Sequence, residues 1–144
     1  MKLVDLNILL YAVDQDAAHH QRVRRWLEAS LADDEPVGLT WLVLVGFVRL
    51  VTRPGVFRDP LSVEQAISIV DDWLAQPSVA VVQESEEHWR HLRDHLRETG
   101  TAGNLTTDAH LASIAIANGA TLVSCDADFG RFRKLRWENP IATE

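Results

Sequence analysis

The chain has 144 residues, is 47% hydrophobic and carries a formal charge of −7. That length and apolar content suit one domain, residues 1–144, with a sizeable core. The negative charge excludes a protein that grips nucleic acid by bulk positive charge, and leaves a local basic patch or a bound metal as routes to RNA.

In chain order, "KLVD" (residues 2–5) reads as a short buried strand with Asp5 near its carboxyl end. Asp5 also interrupts the apolar run "MKLVDLNILLYAV", which argues against a secretory signal core; no further element is assigned before residue 16. "DAAHHQRVRRWLEASLADD" predicts a helix with Val23, Trp26, Leu27 and Leu31 as its apolar stripe. "EPVGLT" is a second strand. Thr40 then caps a helix from Trp41 to Thr52, closed by Pro54-Gly55. Its apolar window, Leu39 to Val51, is broken by Arg49 and is too short to span a bilayer. "SVEQAISIVDDWLAQP" is amphipathic, with Ala66, Ile67, Val70, Trp73 and Leu74 on one face.

"SVAVVQE" is the next strand. "SEEHWRHLRDHLRETG" predicts a helix with a Ser85 cap, a buried stripe of Trp89, Leu92 and Leu96, a solvated face of His88, His91 and His95, and a stop at Gly100. "TTDAHLASIAIANGA" is a helix rich in alanine, able to pack close against a sheet. "ATLVSCD" and "KLRWEN" are the last strands. Strands that alternate with helices predict an α/β fold, a central parallel sheet covered by helices on both faces. The single cysteine, Cys125, rules out an internal disulfide and points to a reducing, cytoplasmic setting.

The chemistry lies in four aspartates. Asp5 ends one predicted strand, Asp126 and Asp128 follow another, and Asp108 opens the alanine-rich helix. In parallel sheets, sites form where strand ends and helix starts converge. Carboxylates that close repel and raise one another's pKa unless a cation lies between them. Oxygen donors without paired His or Cys suit a hard ion, Mg²⁺ or Mn²⁺, which can orient a water for attack on a phosphodiester. Each aspartate also has a plainer role as a turn or cap residue; their order within one α/β chain favours the site.

Four segments carry a family resemblance: "LVDLNILLYA", "GFVRLVTRPGVF", "GNLTTDAHLASIAIANGATLVSCDADFGRF" and "LRWENP". Over essentially its whole length the sequence resembles a PIN domain, and more closely the VapC toxins of bacterial toxin–antitoxin pairs. The resemblance implies a Mg²⁺- or Mn²⁺-dependent endoribonuclease, a homodimer, an RNA substrate and a small antitoxin protein that blocks the site. It assigns Asp5, Asp108 and Asp126 to catalysis and metal binding, Asp128 to the metal in support, and Asn7 and Ser124 to the small polar residues nearby. One position departs: where the family usually has a glutamate in the middle helix, this chain has Gly46. That leaves two readings, an enzyme in which water fills the space, which we favour, or a weakened module that binds RNA without cutting.

Other candidates are fewer. Arg131, Arg133, Lys134 and Arg136, beside Phe132 and Trp137, form a basic-aromatic stretch that could contact phosphates and stack bases, or equally form a solvated edge over core aromatics. Arg49 could pair with the acidic rim or with a partner's carboxylate. A phosphatase with Asp5 as nucleophile is disfavoured, because the only lysines, Lys2 and Lys134, have no convincing context for it.

Overall fold

The computed structural model describes residues 1–142. Among them, five strands form one sheet, all parallel: β1 (Lys2–Val4), β2 (Val37–Leu39), β3 (Val79–Val81), β4 (Thr121–Val123) and β5 (Arg136–Glu138). Their order across the sheet is β3-β2-β1-β4-β5. The chain therefore builds outward from β1 on one side, then crosses back to β4 on the other. Such a switch point opens a crevice at the strands' carboxyl ends. Register fixes what lines it: Val4 pairs with Val123, so Asp5 and Ser124 leave neighbouring strands side by side.

Six α-helices flank the sheet among the described residues: α1 (Leu6–Val13), α2 (His20–Ala32), α3 (Trp41–Val51), α4 (Val63–Leu74), α5 (His88–Thr99) and α6 (Thr106–Ala117). Helix α1 packs on α2 and α3, α3 on α4, and α5 on α6. The strands are short, yet Leu3, Val4, Leu122 and Val123 are wholly buried. At about 1.5–3 kcal/mol for each fully buried large apolar side chain, these residues and the helices over them anchor the rim. Ala109, Ala112 and Ala115 of α6 are also fully buried, so the small side chains predicted to allow close packing do so.

Helix α1 is the element not assigned from sequence. Its eight residues are almost all apolar, and Ile8, Leu9 and Ala12 are buried. With little polar face there is no clear helical alternation to read. The start signal was Asp5, whose side chain accepts from the Leu6 N–H as an N-cap.

Helix α5 corrects two expectations. Ser85 is not its cap: the helix begins after Glu87, without a side-chain cap, and Ser85 contributes only a carbonyl that accepts from the His88 N–H at 3.1 Å. The buried and solvated faces are also shifted. His88 Nε2 lies 2.8 Å from His110 Nδ1, and His95 Nδ1 lies 2.8 Å from Ser113 Oγ, whereas Trp89 is 64% exposed. Helix α6 presents His110 and Ser113 as polar partners, so imidazoles satisfy that seam while Leu92 and Leu96 are only partly buried. Gly100 ends the helix as expected, in the left-handed conformation at φ 72°. In α4, Ala66 and Trp73 are buried, while Ile67 is 43% exposed and falls off the predicted stripe.

Candidate active site

The rim is assembled from three chain segments around Ser124. This side chain is fully buried, and its hydroxyl donates to Asp5 Oδ2 at 2.7 Å. Ser124 Oγ in turn accepts from Asn7 Nδ2 at 3.0 Å and from the Asp126 N–H at 3.0 Å. Asn7 completes the link. Its amide nitrogen lies 3.2 Å from Asp5 Oδ2, and its Oδ1 accepts from the Cys125 N–H at 3.2 Å. Asp5 is thus oriented by the Leu6 N–H at 2.7 Å, the Ser124 hydroxyl and the Asn7 amide. From beneath, Trp137 Nε1 donates to the Ser124 carbonyl at 2.9 Å.

Asp126 follows Ser124 by two residues and caps a 3₁₀ turn, Ala127–Arg131, by accepting from the Asp128 N–H at 2.9 Å. The capping role and the rim position coexist, because only one carboxylate oxygen is used. Asp108 sits in the first turn of α6. Asp108, Asp126 and Asp128 each offer an oxygen, all within 4.8 Å of one another. Opposite ligands of an octahedral Mg²⁺ stand about 4.2 Å apart, so this donor set fits a hard divalent cation with a small inward shift. Asp5 stands outside that group of three but is coupled to it electrostatically.

The titration behaviour follows the geometry. Burial pushes the Asp108 carboxyl up to about 6, and the charges of Asp126, Asp5 and Asp128 add to the effect. Burial also raises Asp5; its hydrogen bonds from Ser124 and Leu6 oppose that rise, and the Asp126 charge adds to it. Cys125, between Ser124 and Asp126, is pushed up to about 11 by burial and then by the Asp5 charge, which disfavours the thiolate.

Other sequence candidates lie at varied distances from this rim. Arg131, Arg133 and Lys134 are exposed along and just after the 3₁₀ turn that carries Asp128. Arg136 is elsewhere: it pairs in register with Thr121, and its guanidinium donates to the Gly119 carbonyl, at the amino-terminal edge of β4. Phe132 is buried and offers no open face for stacking, and Trp137 is half-buried. Arg49 is exposed and forms no ion pair with the acidic rim among the described residues. Gly46 of α3 faces the first residue of α1: a Cβ there would lie 3.0 Å from Leu6 Cδ2. Sequence reasoning named the carboxylates but not the supports, Trp137 and the Leu6 N–H, whose roles depend on strand register and on α1.

The model for the PIN domain family matches residues 2–135. The chain belongs to the PIN-domain family. It is 46% identical over 142 residues to "Ribonuclease VapC37" of Mycobacterium tuberculosis, covering 99% of each chain. It is 43% identical over 141 residues to "Ribonuclease VapC43" of the same organism, covering 98% of this chain and 96% of that one. Among solved structures, it resembles a chain of the VapBC2 complex of Rickettsia felis bound to a promoter DNA fragment, with a TM-score of 0.70, 25% identity and coverage of 96% and 97%. M. tuberculosis VapC20 has the same fold, with a TM-score of 0.67 at 16% identity and coverage of 94% and 99%. Among the described residues of this PIN domain, no helix is long and apolar enough to cross a membrane.

Proposed function

We propose that this PIN domain is an endoribonuclease dependent on Mg²⁺ or Mn²⁺ that acts in the cytoplasm as the toxin of a toxin–antitoxin pair. The observation that carries the reading is the meeting of Asp108, Asp126 and Asp128 within 4.8 Å at the switch point, beside a hydrogen-bonded Asp5. The full-length similarity to proteins named VapC ribonucleases supports RNA as the polymer, and the fold's likeness to toxin chains in VapBC complexes supports a small antitoxin as partner. A homodimer and a single domain over residues 1–144 complete the proposal.

Asp108, Asp126 and Asp128 would hold the ion, with Asp5 completing the acidic rim. When bound, a divalent ion supplies positive charge at the phosphate and an acidified water. Ser124 and Asn7 fix Asp5 in one orientation, so it needs no rearrangement when substrate arrives. Asp108 titrates near 6 without a cation, so ion binding and proton release from this carboxyl are linked. Arg131, Arg133 and Lys134, exposed along and just after the turn that carries Asp128, would meet the RNA backbone; phosphate contacts of that kind position a strand without reading its sequence.

The test is incubation of purified, antitoxin-free protein with total cellular RNA in Mg²⁺, Mn²⁺ or EDTA, followed by mapping of new ends. Cleavage at discrete positions in either ion, abolished by EDTA and by Asp126→Asn, is expected. RNA binding without new ends in any condition would instead favour a weakened module lacking the Gly46 glutamate.

A further inference from the structure

A cavity of about 310 Å³ is lined by Tyr11, Asp14, Ala17, His19, Cys125 and Ile141 among others, with none of the rim carboxylates in its wall. It is joined to the site through Cys125, which lies between Ser124 and Asp126 and whose N–H is held by Asn7. Tyr11 and the helix-ending Asp14 follow Asn7 by four and seven residues, so the cavity lies one to two helical turns, roughly 6–10 Å, along the α1 axis from the residue that orients Asp5. Nothing in the proposed chemistry uses this space.

Its walls are held in place. Asp14 Oδ1 accepts from the Asp16 N–H at 3.0 Å, which sets the carboxylate's direction. The turn above is closed by Ala17 N–H to Asp14 O and His20 N–H to Ala17 O, both 3.1 Å. His20 is buried, and its Nδ1 lies 2.8 Å from the Tyr11 carbonyl, so α1 and the start of α2 are tied together. On the far side, Arg22 donates to the Ala142 carbonyl at 3.0 Å and keeps the segment bearing Ile141 in place.

The chemistry of the lining selects a ligand class. The volume is at the low end of small-molecule sites, about 300–1,000 Å³, and suits one planar group. The cavity carries a carboxylate and no lysine or arginine, so it disfavours a phosphate. Tyr11, Ala17, Ala18 and Ile141 contribute apolar surface to the lining, and Asp14 contributes its only carboxylate. Unstacked RNA bases are recognised by such combinations of flat surface and edge hydrogen bonds. A carboxylate has about four acceptor sites, so one bond from Asp16 leaves capacity for more.

We propose that this cavity receives the base next to the scissile phosphate, and that Asp14 selects guanine, whose N1–H and N2 amino group present two adjacent donors on one edge. Uracil offers no amino group, and inosine lacks the N2 donors. The proposal rests on the ribonuclease reading above and adds to it a residue that determines specificity.

The experiment uses the full chain with Mn²⁺ and RNA oligonucleotides that differ only at the nucleotide flanking the mapped cut, carrying guanine, inosine or uracil there. Wild type should cut the guanine substrate about tenfold faster in kcat/KM than the inosine substrate, with uracil slower still. Asp14→Asn keeps an oxygen for the Asp16 N–H, so it should fold; it should reduce the guanine-to-inosine ratio to about one. His19→Ala, an exposed substitution, provides a second folded variant that should weaken guanine preference. Equal preferences in wild type and Asp14→Asn would overturn the pocket while leaving the ribonuclease reading intact. An unchanged cut-site base together with lost binding of the antitoxin in Asp14→Asn would assign the cavity to a protein contact and also overturn it. Failure of wild type to cut any RNA would overturn the ribonuclease reading, and this proposal with it.

Discussion

Replacing Asp108 with asparagine should stabilise the cation-free protein, even though it removes a proposed ligand. The Asp108 carboxyl is raised from its ordinary value of 3.8 to about 6, first by burial and then by Asp126, Asp5 and Asp128. A difference of that size corresponds to ~3 kcal/mol at most. Asp108 is only partly buried, and solvent screening reduces the figure to about 1–2 kcal/mol. Loss of a negative charge from the first turn of α6 costs about 0.5 kcal/mol in return. The net gain is ~1 kcal/mol, or roughly 2–5 °C in Tm for a chain of this size. The sign with pH is fixed by linkage. A carboxyl whose folded pKa is raised stabilises the folded state fully below its unfolded value, near 4, and that contribution is lost as pH rises through 6. The melting-temperature difference between Asp108→Asn and wild type should therefore be absent or slightly negative near pH 4 and reach its maximum above pH 7. Scanning calorimetry in EDTA from pH 4 to 8 measures it. Addition of Mn²⁺ should reverse the order, because wild type gains more from a ligand of the folded state. A pH-independent difference, or a variant less stable than wild type in EDTA at pH 7.5, would refute the reasoning.

Asp5→Asn and Asp126→Asn should each lower metal-dependent cleavage at least about 100-fold with unchanged circular dichroism; loss of the fold would show a structural role instead. Ser124→Ala removes the acceptor of the Asp126 N–H and a donor to Asp5, so it should lower stability by about 1–3 kcal/mol in urea titration and reduce cleavage. Arg131→Glu combined with Lys134→Glu should weaken RNA binding and flatten its dependence on salt; a salt slope equal to that of wild type would place the strand elsewhere. Gly46→Glu should remain folded, since helix propensity favours the change and only a terminal methyl of Leu6 must yield. Titration calorimetry should then give tighter Mn²⁺ binding, and unchanged affinity would mean that position 46 does not reach the ion.

The strand-and-helix order and the parallel sheet were legible because each strand is a short apolar run between turn residues and the later helices show an apolar stripe, a run of small residues, a cap or a glycine stop. Asp5, Asp108, Asp126 and Asp128 were legible as strand-end or helix-start carboxylates, which predicts one rim without giving distances. What remained hidden depended on partners distant in sequence. Helix α1 lacks a polar face, so its sequence could not be told from a buried strand. The polarity of α5 was misread because His110 and Ser113, two histidine partners, lie on α6. Arg136 looked equivalent to Arg133 in sequence, but β5 register turns it toward Gly119, away from the acidic end. Ser124 was named only through family resemblance; its three hydrogen bonds follow from the Val4–Val123 pairing.

The glycine at position 46 gains meaning from that same neighbourhood. Helix α3 approaches the first turn of α1 so closely that a Cβ on residue 46 would touch Leu6 at 3.0 Å. Leu6 is the residue whose N–H orients Asp5. A side chain at 46 therefore requires the end of the Leu6 side chain to shift by a few tenths of an ångström, whereas glycine lets α3 and α1 meet without that shift. A fifth carboxylate near the rim would also add like charge to a group that already raises Asp108 to about 6. With glycine there, Asp5 is set by three neutral donors rather than by balance among charges. The arrangement gives up one potential oxygen donor and keeps a rim that is less self-repelling before the cation arrives.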